Sequence, residues 1–173
     1  MRTVVFGGAS TLDNFIARPD GGVDWILWGK EAAALMAEFW PRFDTIVMGR
    51  KTFEFAQRFG QTGGYPGMAN YVFSRTLSGV PAGVTLVRDD AAEFIRGLKG
   101  APGKDICVMG GGEFAHALFE ADVIDEVGLN IHPVLLGQGV PLFHRMTRDI
   151  RLELERSRQL SNGCVLVNYR VVH

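Results

Sequence analysis

The chain is expected to fold as an α/β domain, a three-layer α/β/α sandwich around a mostly parallel mixed sheet with antiparallel C-terminal strands. Two observations predict this. Over the first two thirds, short wholly apolar runs alternate with segments of helical period, the pattern of parallel strands buried on both faces. In the last third, alternating apolar/polar runs follow one another with no helix between them, so they cannot be joined by helical crossovers.

Taken in order, "TVVFGGA" reads as a buried strand and "GKEAAALMAEFW" as a helix with Leu35, Met36, Phe39 and Trp40 on one face. "DTIVMG" is a strand, "TFEFAQRF" a helix and the glycine-rich "GQTGGYPGM" a loop. "ANYVFS" and "GVTLV" are strands. "DDAAEFIRGLKG" is a helix with Asp90 as its cap, Glu93 three residues on, and an end at Gly100. "KDICVMG" is a strand and "GEFAHALFEA" a helix. "IDEVGLNIHP", with Val127, Leu129 and Ile131 on one face, precedes the alternating "IRLELE" and "CVLVNYRVV".

With 173 residues, a single domain over 1–173 is expected. The net charge of −1 excludes a global field that would recruit nucleic acid or an anionic membrane, so phosphate recognition has to be local. Cys107 and Cys164 stand in apolar runs without metal-ligand spacing and read as buried, reduced thiols of a cytoplasmic protein. No metal site and no membrane span is expected.

Three strand-to-helix junctions carry the functional reading. In "VMGRKTF", Gly49 permits close approach, the helix start offers free N–H groups, Arg50 and Lys51 add charge and Thr52 a hydroxyl. In "ICVMGGGEFAHALF", the cluster Gly110, Gly111 and Gly112 is costly in backbone entropy and repays it where backbone must approach a bulky ligand. In "YVFSRTL", Ser74, Arg75 and Thr76 sit at a strand's carboxyl end. Each motif has a plain alternative, a solvated basic turn, a tight joint or a polar loop. A fourth stretch, "ASTLDNFIARPDG", is either a loop folded over a flat ring or an ordinary surface loop.

These motifs, with "STLDNFIA" and "HPVLLGQGVPLF", resemble the dihydrofolate reductase superfamily, and within it the reductase domain of bacterial riboflavin biosynthesis and its stand-alone relatives. The resemblance implies an NADPH-dependent oxidoreductase acting on a small heterocycle, pteridine- or pyrimidine-like. It implies that Gly49, Arg50, Lys51 and Thr52 hold phosphates of NADPH and that Ser74, Arg75 and Thr76 flank its adenosine end. Gly110, Gly111, Gly112, Glu113 and Phe114 would pack along the pyrophosphate toward the nicotinamide, and Ala9 and Ile16 would touch the nicotinamide carboxamide. An NADPH-binding, non-catalytic relative is the other outcome. Pairing of two copies through the alternating C-terminal strands is the implied partnership.

The resemblance also shows departures. In dihydrofolate reductases the carboxylate that holds the pterin follows a loop Trp by five residues. Five residues beyond Trp28 stands Ala33, and Glu31 is two residues off, about 200° around a helix. Asp13, Asp24 and Glu31 are the candidate proton donors, with a solvated loop or helix-start carboxylate as the alternative for each; Phe15, Trp25 and Trp28 form a candidate stacking wall, or core packing in the case of Trp28.

Overall fold

Alternating apolar strands and amphipathic helices bury their surfaces against one central sheet in the computed structural model, which describes residues 1–173. The elements are β1 (Val4–Thr11), β2 (Phe15–Ala17), α1 (Lys30–Phe39), β3 (Phe43–Gly49), α2 (Arg50–Arg58), β4 (Ala69–Phe73), β5 (Thr85–Val87) and α3 (Ala91–Gly100). They continue with β6 (Asp105–Val108), α4 (Gly112–Glu120), β7 (Glu126–His132), β8 (Val140–Pro141), β9 (Leu152–Gln159) and β10 (Val165–Val171). The main sheet has the order β5-β4-β3-β6-β1-β7-β10-β9. Pairs from β5 across to β7 are parallel, and β10 runs antiparallel to both β7 and β9. The expected mixed sheet with antiparallel C-terminal strands is therefore the observed one.

The helices lie on two faces. Val4, Phe6, Val127 and Leu129 point toward Ile95 of α3 and Leu118 and Phe119 of α4. Val5, Ile46, Met48 and Cys107 point the other way, against Phe53 of α2. Burial pushes the Cys107 thiol up to about 12 and raises that of Cys164 as well, so both stay protonated. Asp90 caps α3 as expected, its carboxylate accepting from the Glu93 N–H at 2.9 Å.

Three local readings change. Helix α2 begins at Arg50 rather than Thr52, since Arg50 and Lys51 are good helix formers and Arg50 pairs with Glu54 one turn on. The stretches 15–17 and 140–141, without a periodic signal, pair as a small antiparallel ribbon, β2 with β8. On α1 the expected apolar stripe meets the core at its C-terminal end: Ala32 is buried, Leu35 half-buried and Met36 exposed, while Phe39 and Trp40 pack on the buried Phe43 at ring distances of 4.6 and 6.4 Å.

Candidate active site

Because β3, β4 and β6 are adjacent and parallel, their carboxyl ends share one rim. Gly49 lies opposite Phe73, and the Gly49 N–H donates to the Gly110 carbonyl at 3.3 Å. Arg50, Ser74 and Gly111, each the next residue along its chain segment, are thereby brought together. Gly110 has φ 90, a conformation glycine adopts without strain. At Gly49 the constraint is space, since a Cβ would fall 2.9 Å from the Phe114 Cβ. The close neighbour is thus a ring, which stacks on Phe73 with centroids 5.2 Å apart.

Two helices start on this rim, α2 after Gly49 and α4 after Gly111, and no side chain caps either one. Their first-turn N–H groups and positive dipole ends make an anion-binding environment. Arg50 and Lys51 occupy the first turn of α2, but the chain itself supplies counter-charges. Arg50 pairs with Glu54 at 3.0 Å, and Lys51 with Glu113 at 2.8 Å, which holds the Glu113 carboxyl below its usual range. Both pairs are solvent-exposed and so contribute little stability, and a phosphate can displace them at small cost. The Thr52 hydroxyl lies close to Gly111, 3.4 Å from where a Cβ on that residue would sit.

Beside this junction lies an open groove of about 250 Å³ lined by Ser74, Arg75, Arg88, Asp90 and Phe114. The Ser74 Oγ accepts from the N–H groups of Thr76 and Leu77 at 3.2 and 3.1 Å, so this hydroxyl shapes the loop, and Thr76 is exposed beside it. Arg88 donates to the backbone carbonyls of Arg75 and Leu77 at 3.0 and 2.6 Å, which fixes its guanidinium at the groove that Arg75 also lines. Sequence reasoning missed Arg88. The signal was there, a cation directly after the apolar strand β5, as Arg75 follows β4.

The candidate acids behave differently. Asp13 accepts from the Thr11 hydroxyl at 2.6 Å and from the N–H groups of Leu136 and Gly137 at 3.0 and 2.8 Å, tying the loop after β1 to the loop before β8. Asp24 forms a two-pronged pair with Arg18 at 2.6 and 3.0 Å. Glu31 accepts from the Ser161 N–H and hydroxyl at 2.8 and 2.6 Å, with Arg158 at 3.6 Å. Each set of bonds lowers the carboxyl pKa, so all three are ionised at neutral pH and engaged in holding loops. The expected stacking wall also divides. Trp28 is 77% exposed, whereas Trp25 is buried and meets the His132 ring edge-on at 5.3 Å. Five residues beyond Trp25 stands Lys30, so this Trp is not followed by the pterin-type carboxylate either.

A floor of small and amide residues lies on the α2 side of the sheet. Ala9 of β1 is opposite Asn130, and Gly7 is opposite Gly128, which is opposite Asn168 of β10. Paired and alternate residues share a face, so these five side-chain positions form one floor. The segment around α1 crosses it. At one end the Leu27 N–H donates to His132 Nδ1 at 3.2 Å, and at the other Arg42 binds Glu126 through two bonds of 2.6 and 2.7 Å. Between these moorings the floor residues Gly7, Ala9, Gly128, Asn130 and Asn168 stay half-accessible, although β1 and β7 are central strands. Ile16 lies in the β2–β8 ribbon next to the carboxyl end of β1.

His132 lies at one end of this floor and is completely buried. Since its Nδ1 accepts from Leu27 N–H, with the Cys164 Sγ at 3.3 Å, the neutral ring carries its proton on Nε2, which has no partner. Desolvation lowers its pKa from the ordinary 6.5. The unfolded chain therefore binds a proton that the folded one refuses. Stability is full above about pH 6.5 and falls below it, by at most about 1.4 kcal/mol per pH unit. Urea midpoints between pH 7 and 5 should show this slope, and His132→Asn should flatten it.

A model of the RibD C-terminal domain matches residues 2–166. The chain is 32% identical to the uncharacterised protein YyaP of Bacillus subtilis (strain 168), with 97% of this chain and 94% of YyaP covered. A protein from Shewanella sp. PV-4, provisionally assigned to riboflavin biosynthesis, superposes with a TM-score of 0.82 at 28% identity over 100% of both chains. The fold extends to the deaminase/5-amino-6-(5-phosphoribosylamino)uracil reductase of Thermotoga maritima, with a TM-score of 0.75, 16% identity and 99% and 57% of the two chains covered. It extends equally to the dihydrofolate reductase of Enterococcus faecalis solved with NADP(H), with a TM-score of 0.73, 16% identity and coverage of 99% and 97%.

Proposed function

The chain belongs to the RibD C-terminal domain family, and from that premise we propose that it is an NADPH-dependent reductase transferring a hydride to a small heterocyclic substrate. The observation that carries this reading is the meeting of three junctions, after β3, β4 and β6, on one rim with two helix starts and two arginines. The residues present fit such a dinucleotide. Arg75 and Arg88 would meet the phosphate that distinguishes NADPH from NADH. Arg50, Lys51 and the helix starts would face the pyrophosphate, with the bare Gly110–Gly112 backbone beside it, and Ala9 and Ile16 would border the nicotinamide.

Bound NADPH supplies the hydride, and the protein's share is alignment and water exclusion. The half-buried floor beside Ala9 would take the substrate ring. A proton is also needed, and since Asp13, Asp24 and Glu31 are ionised and engaged, solvent is its proposed source. The same engagement favours a second reading, an NADPH-binding relative without turnover.

Titration of tryptophan fluorescence tests the first step. Saturable NADPH binding at least about tenfold tighter than NADH is expected, a difference of about 1.4 kcal/mol. Equal affinities would remove the phosphate-reading assignment. NADPH consumption with dihydrofolate, pyrimidine and flavin-precursor substrates separates turnover from binding alone.

A further inference from the structure

The first turns of α2 and α4 are joined by a side-chain bond across the rim. The Lys51 ammonium donates to Glu113 Oε1 at 2.8 Å, although the two residues are 62 positions apart. Glu113 is the second residue of α4, among N–H groups that no side chain caps. Other basic groups gather there. A Cβ on Gly112 would fall 2.6 Å from the His144 ring, so the last glycine of the cluster lets that imidazole lie against the start of α4. Arg50 begins α2 beside Lys51. The hydrogen bond from Lys51 holds the Glu113 carboxyl below its usual range, and the charges of His144 and Arg50 act in the same direction.

Two helix starts and three basic side chains make a field suited to a phosphate, and the chain's own carboxylate stands within it. A solvent-exposed pair of this kind adds little stability, so fastening α2 to α4 does not account for it. Its larger effect is on entering anions. Each must take Lys51 from Glu113 and then lie near a negative charge. Free phosphate or pyrophosphate has nothing else to offset that repulsion. A dinucleotide can add contacts at its adenosine end, in the groove lined by Ser74, Arg75 and Arg88. We propose that Glu113 is a specificity-determining residue of the rim: its carboxylate competes with ligand phosphate for Lys51, keeps free phosphate and pyrophosphate off, and limits how tightly a dinucleotide is held. The proposal rests on the reductase reading for the identity of that dinucleotide.

Calorimetric titration of the full chain with NADPH and, separately, with inorganic pyrophosphate is the test. Glu113→Gln removes the charge at almost unchanged size and should bind NADPH about three- to tenfold tighter, the scale of one exposed charge–charge repulsion. Pyrophosphate, which is more highly charged and makes no adenosine contacts, should gain at least as much, so the preference for the dinucleotide narrows. Binding by the variant should also weaken more steeply with salt, since Lys51 then meets the ligand unopposed. Glu38→Gln, an equal change of net charge at an exposed position of α1, should leave both affinities unaltered. A cooperative urea transition reports that each variant is folded. For any ligand that binds, unchanged or weaker binding by Glu113→Gln, or an equal gain in Glu38→Gln, overturns the proposal, as does binding of neither ligand by either protein. If the unaltered protein binds no NADPH while Glu113→Gln still gains pyrophosphate affinity, the reductase reading falls and the role of Glu113 stands.

Discussion

Gly7→Val is expected to cost on the order of 3 kcal/mol or more, a large part of the 5–15 kcal/mol that holds an ordinary domain folded. Gly7 and Gly128 face one another on β1 and β7, and a Cβ on Gly7 would fall onto the Gly128 carbonyl oxygen. Strand β1 is bonded to β6 on one side and β7 on the other, so it cannot slide away from the clash without losing a ladder. Gly8 supplies the control: a Cβ there meets nothing within 4 Å, and Gly8→Ala should shift stability by less than about 1 kcal/mol. Urea unfolding of both variants reads the contrast directly. A Gly7→Val midpoint equal to that of the unaltered protein would mean that β1 and β7 are not paired in this register.

The second large effect concerns cofactor choice. Arg75→Ala and Arg88→Ala should each weaken NADPH binding by roughly 10- to 100-fold, the worth of one charge-assisted hydrogen bond at about 1.5–3 kcal/mol, and leave NADH affinity nearly unchanged. Arg88→Ala carries an added cost, since its guanidinium also holds the carbonyls of Arg75 and Leu77. Arg75→Ala isolates the charge from that loop effect. Arg50→Ala should do less to the discrimination, because Arg50 already shares its charge with Glu54. Binding measured at two salt concentrations adds a check: the unaltered protein should lose NADPH affinity with salt more steeply than either variant. Equal losses for NADH and NADPH would show that the groove does not read the distinguishing phosphate.

The layers and the strand directions, parallel first and antiparallel at the C-terminal end, were largely readable from local pattern, whereas the order of the strands was not. Runs such as "DTIVMG" and "DICV" have no polar face and can only sit in the middle of a covered sheet, and Asp90 announces α3 by its own hydrogen bond. The rim was readable for the same reason, since parallel strands send all their following loops to one side. The roles of the acids were not. Asp13 answers to Gly137, 124 residues away, and Glu31 to Ser161, 130 residues away. A carboxylate's partner decides whether it works as an acid or as a fastener, and no window of neighbouring residues contains these partners. Trp25 and Trp28 were likewise indistinguishable by spacing. His132, 107 positions beyond Trp25, decides which of them is covered.

Helix α1 is moored at three places: Leu27 before it to His132, Glu31 in its first turn to Ser161, and Arg42 after it to Glu126. These fastenings reach β7 at both of its ends and the turn between β9 and β10, so the helix keeps the direction that the antiparallel edge of the sheet gives it.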